Sequence, residues 1–169
     1  PDIFEDNRGI FYESFNHRVF SAHFENYGKV INFVQDNHSL SKKNVIRGLH
    51  YQVGSSQQCK LVRVTSGVIY DVAVDLRSSS QTFGSWVGVR LDSIYNRQLW
   101  IPYGFAHGFM SLSDSTVVNY KTTNYYNKSS ERSILWNDND INIDWPASDP
   151  IISPKDQNAC KFNEAEFFS

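Results

Sequence analysis

The strongest constraint on this chain is an alternation of period two that recurs along most of its length. It is clearest over residues 67–75, where Val68, Tyr70, Val72 and Val74 fall on one face and Ile69, Asp71, Ala73 and Asp75 on the other. One face is apolar; the other carries carboxylates. Further strand-like runs occupy residues 9–15, 29–35, 45–53, 59–65, 85–91, 97–101, 107–112 and 116–123. Turn signals such as residues 53–57, 77–80 and Asp92-Ser93 separate them. Short strands at this spacing imply a sandwich or barrel. Composition agrees: 14 Val and 12 Ile against 8 Leu and 6 Ala, with 25 aromatic residues, exclude a helix bundle. Only residues 19–27 and 164–168 read as helical, both short. At 169 residues and 40% apolar content, the expectation is one compact domain over residues 1–169.

The charge balance excludes several function classes. Sixteen Lys and Arg against 18 Asp and Glu leave a net charge of −2, with no basic run to engage a nucleic acid backbone. No apolar stretch is long enough to span a bilayer, and the first residues are acidic where a signal peptide is basic. A soluble, cytoplasmic protein is expected. Cys59 and Cys160 lie far apart with no metal-ligand spacing, which implies two unpaired thiols. The chain opens at Pro1 rather than at methionine, which suggests trimming and a missing part of a first strand.

Candidate chemistry lies on the strands. His50 and His107 sit within strand-like runs, and His50 shares its face with Gln52; each imidazole is either a satisfied core group or a general base working near neutral pH. Lys60 alternates with Val62 and Val64, so its ammonium aims toward the apolar side. Either a carboxylate such as Asp71 or Asp75 pairs with it, or it stabilises negative charge on a substrate oxygen. Tyr120, in line with Val118 and Thr122, is either a core aromatic or a phenol with a task. Residues 102–107, Pro-Tyr-Gly-Phe-Ala-His, resemble a cupin element, but His50-Tyr-Gln52 has no His-x-His pair and residues 54–59 supply no carboxylate, so no metal is expected. Glycine-rich phosphate loops, dinucleotide fingerprints and nucleophile elbows are absent.

Eight blocks carry a family resemblance: residues 6–13, IRGLHYQ (46–52), QCKLVRV (58–64), residues 71–86, residues 98–114, YKTTNYY (120–126), ILWND (134–138) and SPKD (153–156). In this order they resemble the dTDP-4-dehydrorhamnose 3,5-epimerases. The resemblance implies an all-β, cupin-type double-stranded β-helix (a jelly-roll barrel) with short peripheral helices, a homodimer, no cofactor, and a nucleotide-sugar substrate whose 4-keto group acidifies C3–H and C5–H. It further implies His50 as base, Asp156 as its orienting carboxylate, Tyr120 as acid and Lys60 beside the enolate oxygen. Nucleotide-sugar binding is implied for Arg8, Glu13, Gln35, Asn37, Arg47, His107, Glu131 and Lys155. In an unbroken strand Arg47 and His50 would face opposite ways, so a bend or bulge is expected at Gly48. Val53 and Cys59 replace a proline and an alanine frequent in the family, which leaves open epimerisation at C3 or C5 alone, a 3,4-ketoisomerase, or a binding module without turnover.

Overall fold

The structure, a computed structural model, describes residues 1–25 and 31–169. These fall into two compact units, Pro1–Phe33 and Val34–Ser169. No helix among the described residues is long and apolar enough to cross a membrane.

In the first unit, β1 (Phe4–Asp6) pairs antiparallel with β2 (Gly9–Phe11), so only the start of the strand expected at 9–15 forms. The Asp6 carboxylate closes the turn by accepting from the Arg8 backbone N–H at 2.8 Å. Helix α1 (His17–Glu25) starts where Asn16 Oδ1 accepts from the N–H groups of Arg18 and Val19, a capping role suited to a short amide. Residues 26 and 27 of the expected helix, and 29 and 30 of an expected strand, lie outside the described residues.

The second unit holds two antiparallel-rich sheets. One runs β3 (Gln35–Ser41), β10 (Thr116–Thr122), β5 (Lys60–Ser66), β8 (Gln98–Ile101). The other runs β11 (Glu131–Ser133), β4 (Val45–Gln52), β9 (Phe105–Ser111), β6 (Val68–Asp75), β7 (Trp86–Asp92), and the short β12 (Ile151–Ile152) pairs with β4 in parallel. This is the expected all-β, cupin-like architecture. The β3 strand begins where the run expected at 29–35 was to end. Residues 164–168 are not helical: a 3₁₀ turn at Phe162–Glu164 precedes extended chain, and Phe168 bridges to Arg77.

The period-two pattern of β6 explains how the layers join. Val72 and Val74 pack outward with Leu49, Leu76, Ile134 and Ile141, under Trp145, Phe162 and Phe168 of the C-terminal stretch. Ile69 and Ala73 face the opposite way, between the sheets, with Val62, Val64, Ile101, Phe109 and Val118. A Val or Ile buried this fully contributes about 1.5–3 kcal/mol, so both faces of β6 hold the fold together. The carboxylate face therefore lies inside the barrel, where Asp71 and Asp75 are at most 1% exposed.

Candidate active site

At one end of the second unit the space between the sheets opens into a cavity of about 770 Å³. Ten of the twelve residues singled out from the sequence line it: His50, Lys60, Tyr120, Asp156, Gln35, Asn37, Arg47, His107, Glu131 and Lys155. Arg8 and Glu13 belong to the N-terminal unit, where Arg8 pairs with Asp6 and Glu13 accepts from Asn16 Nδ2.

Strand β4 supplies both Arg47 and His50 because its pairing with β9 shifts register between them. Gly48 permits the shift. Its φ of +137° suits no other residue, and a Cβ there would lie 2.5 Å from Gly108 Cα and 2.9 Å from the His107 carbonyl oxygen. The bulge expected at Gly48 is thus present, with Arg47 Nε donating to Ser41 Oγ at 3.1 Å.

Helix α2 (Pro154–Gln157) brings Asp156 to His50. Ser153 caps it, Oγ accepting from the Asp156 N–H, and Pro154 occupies the first turn, where no backbone donor is missed. The His50 Nε2 then lies 2.6 Å from Asp156 Oδ1, while Oδ2 accepts from the Gly48 N–H at 3.3 Å. Burial pushes the Asp156 carboxyl up, but its bonds from His50, Gly48 and Ser153 outweigh this and hold it below the usual carboxylate range. An ionised carboxylate only accepts, so His50 carries its proton on Nε2, and Nδ1 has no hydrogen-bond partner among the described residues.

Lys60 and Tyr120 approach from the facing sheet. Lys60 is 8% exposed, makes no ion pair among the described residues, and donates from Nζ to the His50 carbonyl oxygen at 3.3 Å. Burial lowers its pKa to about 8 against the pull of Asp71 and Glu131. Neither suggested carboxylate therefore bonds directly to Lys60: Asp71 accepts from His107 Nε2 at 2.6 Å, and Asp75 is taken by Arg77, Ser80 and Thr82. Burial also pushes the Tyr120 phenol above its ordinary value, so it stays protonated at neutral pH. Its ring meets His107 edge-on at 6.4 Å, and its hydroxyl has no hydrogen-bond partner among the described residues.

At the mouth, Lys155 pairs with Glu131, which also accepts from the Tyr126 hydroxyl at 3.0 Å. Burial raises the Glu131 carboxyl, but Lys155 and Tyr126 together bring it below its ordinary value. Gln35 accepts from the Tyr126 N–H and donates to Asn37 Oδ1 at 2.9 Å. Gln52, on the same strand face as His50, and Phe109, an aromatic expected to line the cavity, both do line it, whereas sequence reasoning missed Tyr126 and the Asp71–His107 pair. The inward face of residues 67–75 carried the one usable signal for Asp71. Among the described residues no group of three or more His, Cys, Asp and Glu side chains is arranged to hold a metal, and neither Cys59 nor Cys160 is in a disulfide.

Comparison with known proteins agrees with this geometry. Residues 1–164 match the family model described as dTDP-4-dehydrorhamnose 3,5-epimerase. The chain is 55% identical over 168 residues to the dTDP-4-dehydrorhamnose 3,5-epimerase of Shigella flexneri, covering 99% of this chain and 91% of that protein. It is 34% identical to a dTDP-4-dehydrorhamnose 3-epimerase of Streptomyces niveus, covering 98% and 78%. The crystal structure of a dTDP-6-deoxy-D-glucose 3,5-epimerase of Legionella pneumophila in complex with dTDP-4-keto-L-rhamnose superposes with a TM-score of 0.90 at 48% identity, covering 98% and 87%.

Proposed function

The chain belongs to the dTDP-4-dehydrorhamnose 3,5-epimerase family of carbohydrate isomerases, and from that membership we propose that His50 and Tyr120 invert C3 and C5 of a dTDP-linked 4-keto-6-deoxyhexose through an enolate. The observation that carries the reading is the pairing of His50 with a buried carboxylate on one sheet while a protonated phenol and a buried ammonium face the same cavity from the other.

In this mechanism His50 Nδ1 takes the proton from C3. The electron pair moves onto the 4-keto oxygen beside Lys60, whose charge is worth more here than in water. Asp156 stabilises the imidazolium that forms, and Tyr120 returns a proton to the opposite face of the same carbon. Solvent then reprotonates the tyrosinate and takes the proton from His50, and the cycle repeats at C5. No electrons leave the system. Arg47 and Lys155 supply positive charge for the diphosphate, and the Gln35 and Asn37 amides suit the polar edges of the nucleotide. The nucleotide-contacting role of Arg8 and Glu13, and assembly as a homodimer, rest on the resemblance alone.

The test is solvent deuterium exchange followed by proton NMR on dTDP-4-keto-6-deoxyglucose. Loss of both the C3 and C5 signals, abolished in a folded His50→Asn variant, is expected. Exchange confined to C3 would instead make this chain a mono-epimerase like the Streptomyces niveus relative's name, and carbonyl migration would make it a ketoisomerase.

A further inference from the structure

Asp71 is a charged group of the barrel interior that the mechanism above leaves unused. Asp71, on the inward face of β6, is fully buried; Oδ1 accepts from His107 Nε2 at 2.6 Å, and Oδ2 is shielded from solvent with no hydrogen-bond partner. A buried carboxylate oxygen left unpaired is costly, and native interiors satisfy nearly all such atoms. Lys60 shows the complementary deficit, since its buried ammonium spends one proton on the His50 carbonyl and pairs with no carboxylate.

We propose that Asp71 is a positioning residue that keeps Lys60 cationic and locks His107 in the Nε2–H tautomer, so that the cavity floor presents a fixed positive charge to the developing enolate. This rests on the epimerase reading given above. The titratable groups around Lys60 are Asp71 on β6, Glu131 on β11, His50 on β4, His107 on β9 and Tyr120 on β10. Asp71 and Glu131 favour the ammonium, and Asp71 is the larger of the two. Glu131 is already held by Lys155 and Tyr126, which leaves Asp71, among the described residues, as the buried carboxylate with an oxygen to spare. His107 stays neutral, because burial and the nearby Lys60 charge both oppose a second proton against the pull of Asp71. With Nε2–H given to Asp71, its Nδ1 is an acceptor without a protein partner, facing a pocket built to receive a hydroxylated sugar.

The pH profile of kcat/KM for deuterium exchange tests this in Asp71→Asn, which keeps the shape and removes the charge. The wild-type profile should fall on the alkaline side near pH 8, where Lys60 loses its proton. In Asp71→Asn the alkaline limb should move about one pH unit lower and activity at pH 7.5 should drop about threefold, with dTDP affinity changed less than twofold. A limb that stays in place while the melting temperature falls would overturn the proposal and leave Asp71 a merely structural residue. If Asp71→Asn does not fold, nitrogen-15 NMR of wild-type His107 decides: the expected signature is Nε2–H, unchanged from pH 6 to 9, and an Nδ1–H tautomer or a titrating ring would refute it. Absence of any exchange by the wild-type enzyme would count against the epimerase reading, whereas this NMR signature is independent of turnover.

Discussion

Gly48→Ala is the smallest change that should damage both fold and site. The added methyl meets two costs. A non-glycine residue at φ +137° is strained by about 1–3 kcal/mol, and a Cβ 2.5 Å from Gly108 Cα and 2.9 Å from the His107 carbonyl must push backbone apart, at about 1–3 kcal/mol more. Neither neighbour is a side chain that can swing away, so relief requires β4 and β9 to separate next to His50. The expected loss is about 2–6 kcal/mol, a large share of the roughly 5–15 kcal/mol that holds a domain folded. Gly54→Ala is the matched control: it also has positive φ, but nothing lies within 4 Å of its Cβ, so a loss near 1 kcal/mol is expected. Urea titrations followed by tryptophan fluorescence measure both variants under identical conditions. The reasoning fails if Gly48→Ala is destabilised no more than Gly54→Ala. Should the variant fold, His50 and Arg47 can no longer share the cavity wall, and exchange activity should fall further than stability alone explains.

Three other outcomes follow from the site. Asp156→Asn removes a charge-assisted bond of 2.6 Å and frees His50 to adopt the other tautomer, so kcat should fall about 100-fold or more with little change in dTDP binding; an unaltered kcat would remove Asp156 from the dyad. Tyr120→Phe deletes the acid and spares the base, so deuterium exchange at C3 should persist while net inversion, read by product NMR, stops. Lys60→Met should abolish turnover yet raise stability at neutral pH. The pKa of Lys60 falls from 10.5 to about 8 on folding, so between these values the unfolded chain binds the extra proton and wild-type stability gains with rising pH. Melting curves from pH 7 to 10.5 should show that gain in the wild type and lose it in Lys60→Met.

The strands legible in the sequence are those whose alternation is apolar. Residues 45–52, 60–66, 68–75 and 116–122 bury Val, Ile and Leu on at least one face, and their bounds agree with the expected runs to within a residue or two. Strand β3 defeats the same test for a functional reason. Its period of two is intact, with Gln35, Asn37, Ser39 and Ser41 turned inward and Asp36, His38 and Leu40 exposed, but Gln35, Asn37 and Ser39 on its inner face line the cavity of the candidate site instead of a dry core. A wall that must hydrogen-bond a polar ligand cannot also advertise itself by hydropathy. The C-terminal stretch was misread for the opposite reason. Phe167 and Phe168 end a run that reads as a short helix, yet they follow the 3₁₀ turn at Phe162–Glu164 in extended chain and pack against the outer face of the six-stranded sheet, a placement that only tertiary contact selects.

Site chemistry divides along similar lines. Alternation alone aimed Lys60 toward the apolar side and set Asp71 on the carboxylate face of residues 67–75; that this face turns into the barrel, and that the capped helix at Pro154–Gln157 lifts Asp156 toward β4, came only from the fold. What no local pattern could supply was the pairing. Asp71 stands opposite Phe109 on β9, not His107, in the strand register, and the hydrogen bond runs diagonally across the ladder to a residue 36 positions away. Lys60 and Asp71 look like natural partners in sequence because their charges are opposite. In the folded barrel His107 takes the carboxylate first, which leaves the Lys60 ammonium facing the cavity with a single hydrogen bond, to the His50 carbonyl, among the described residues.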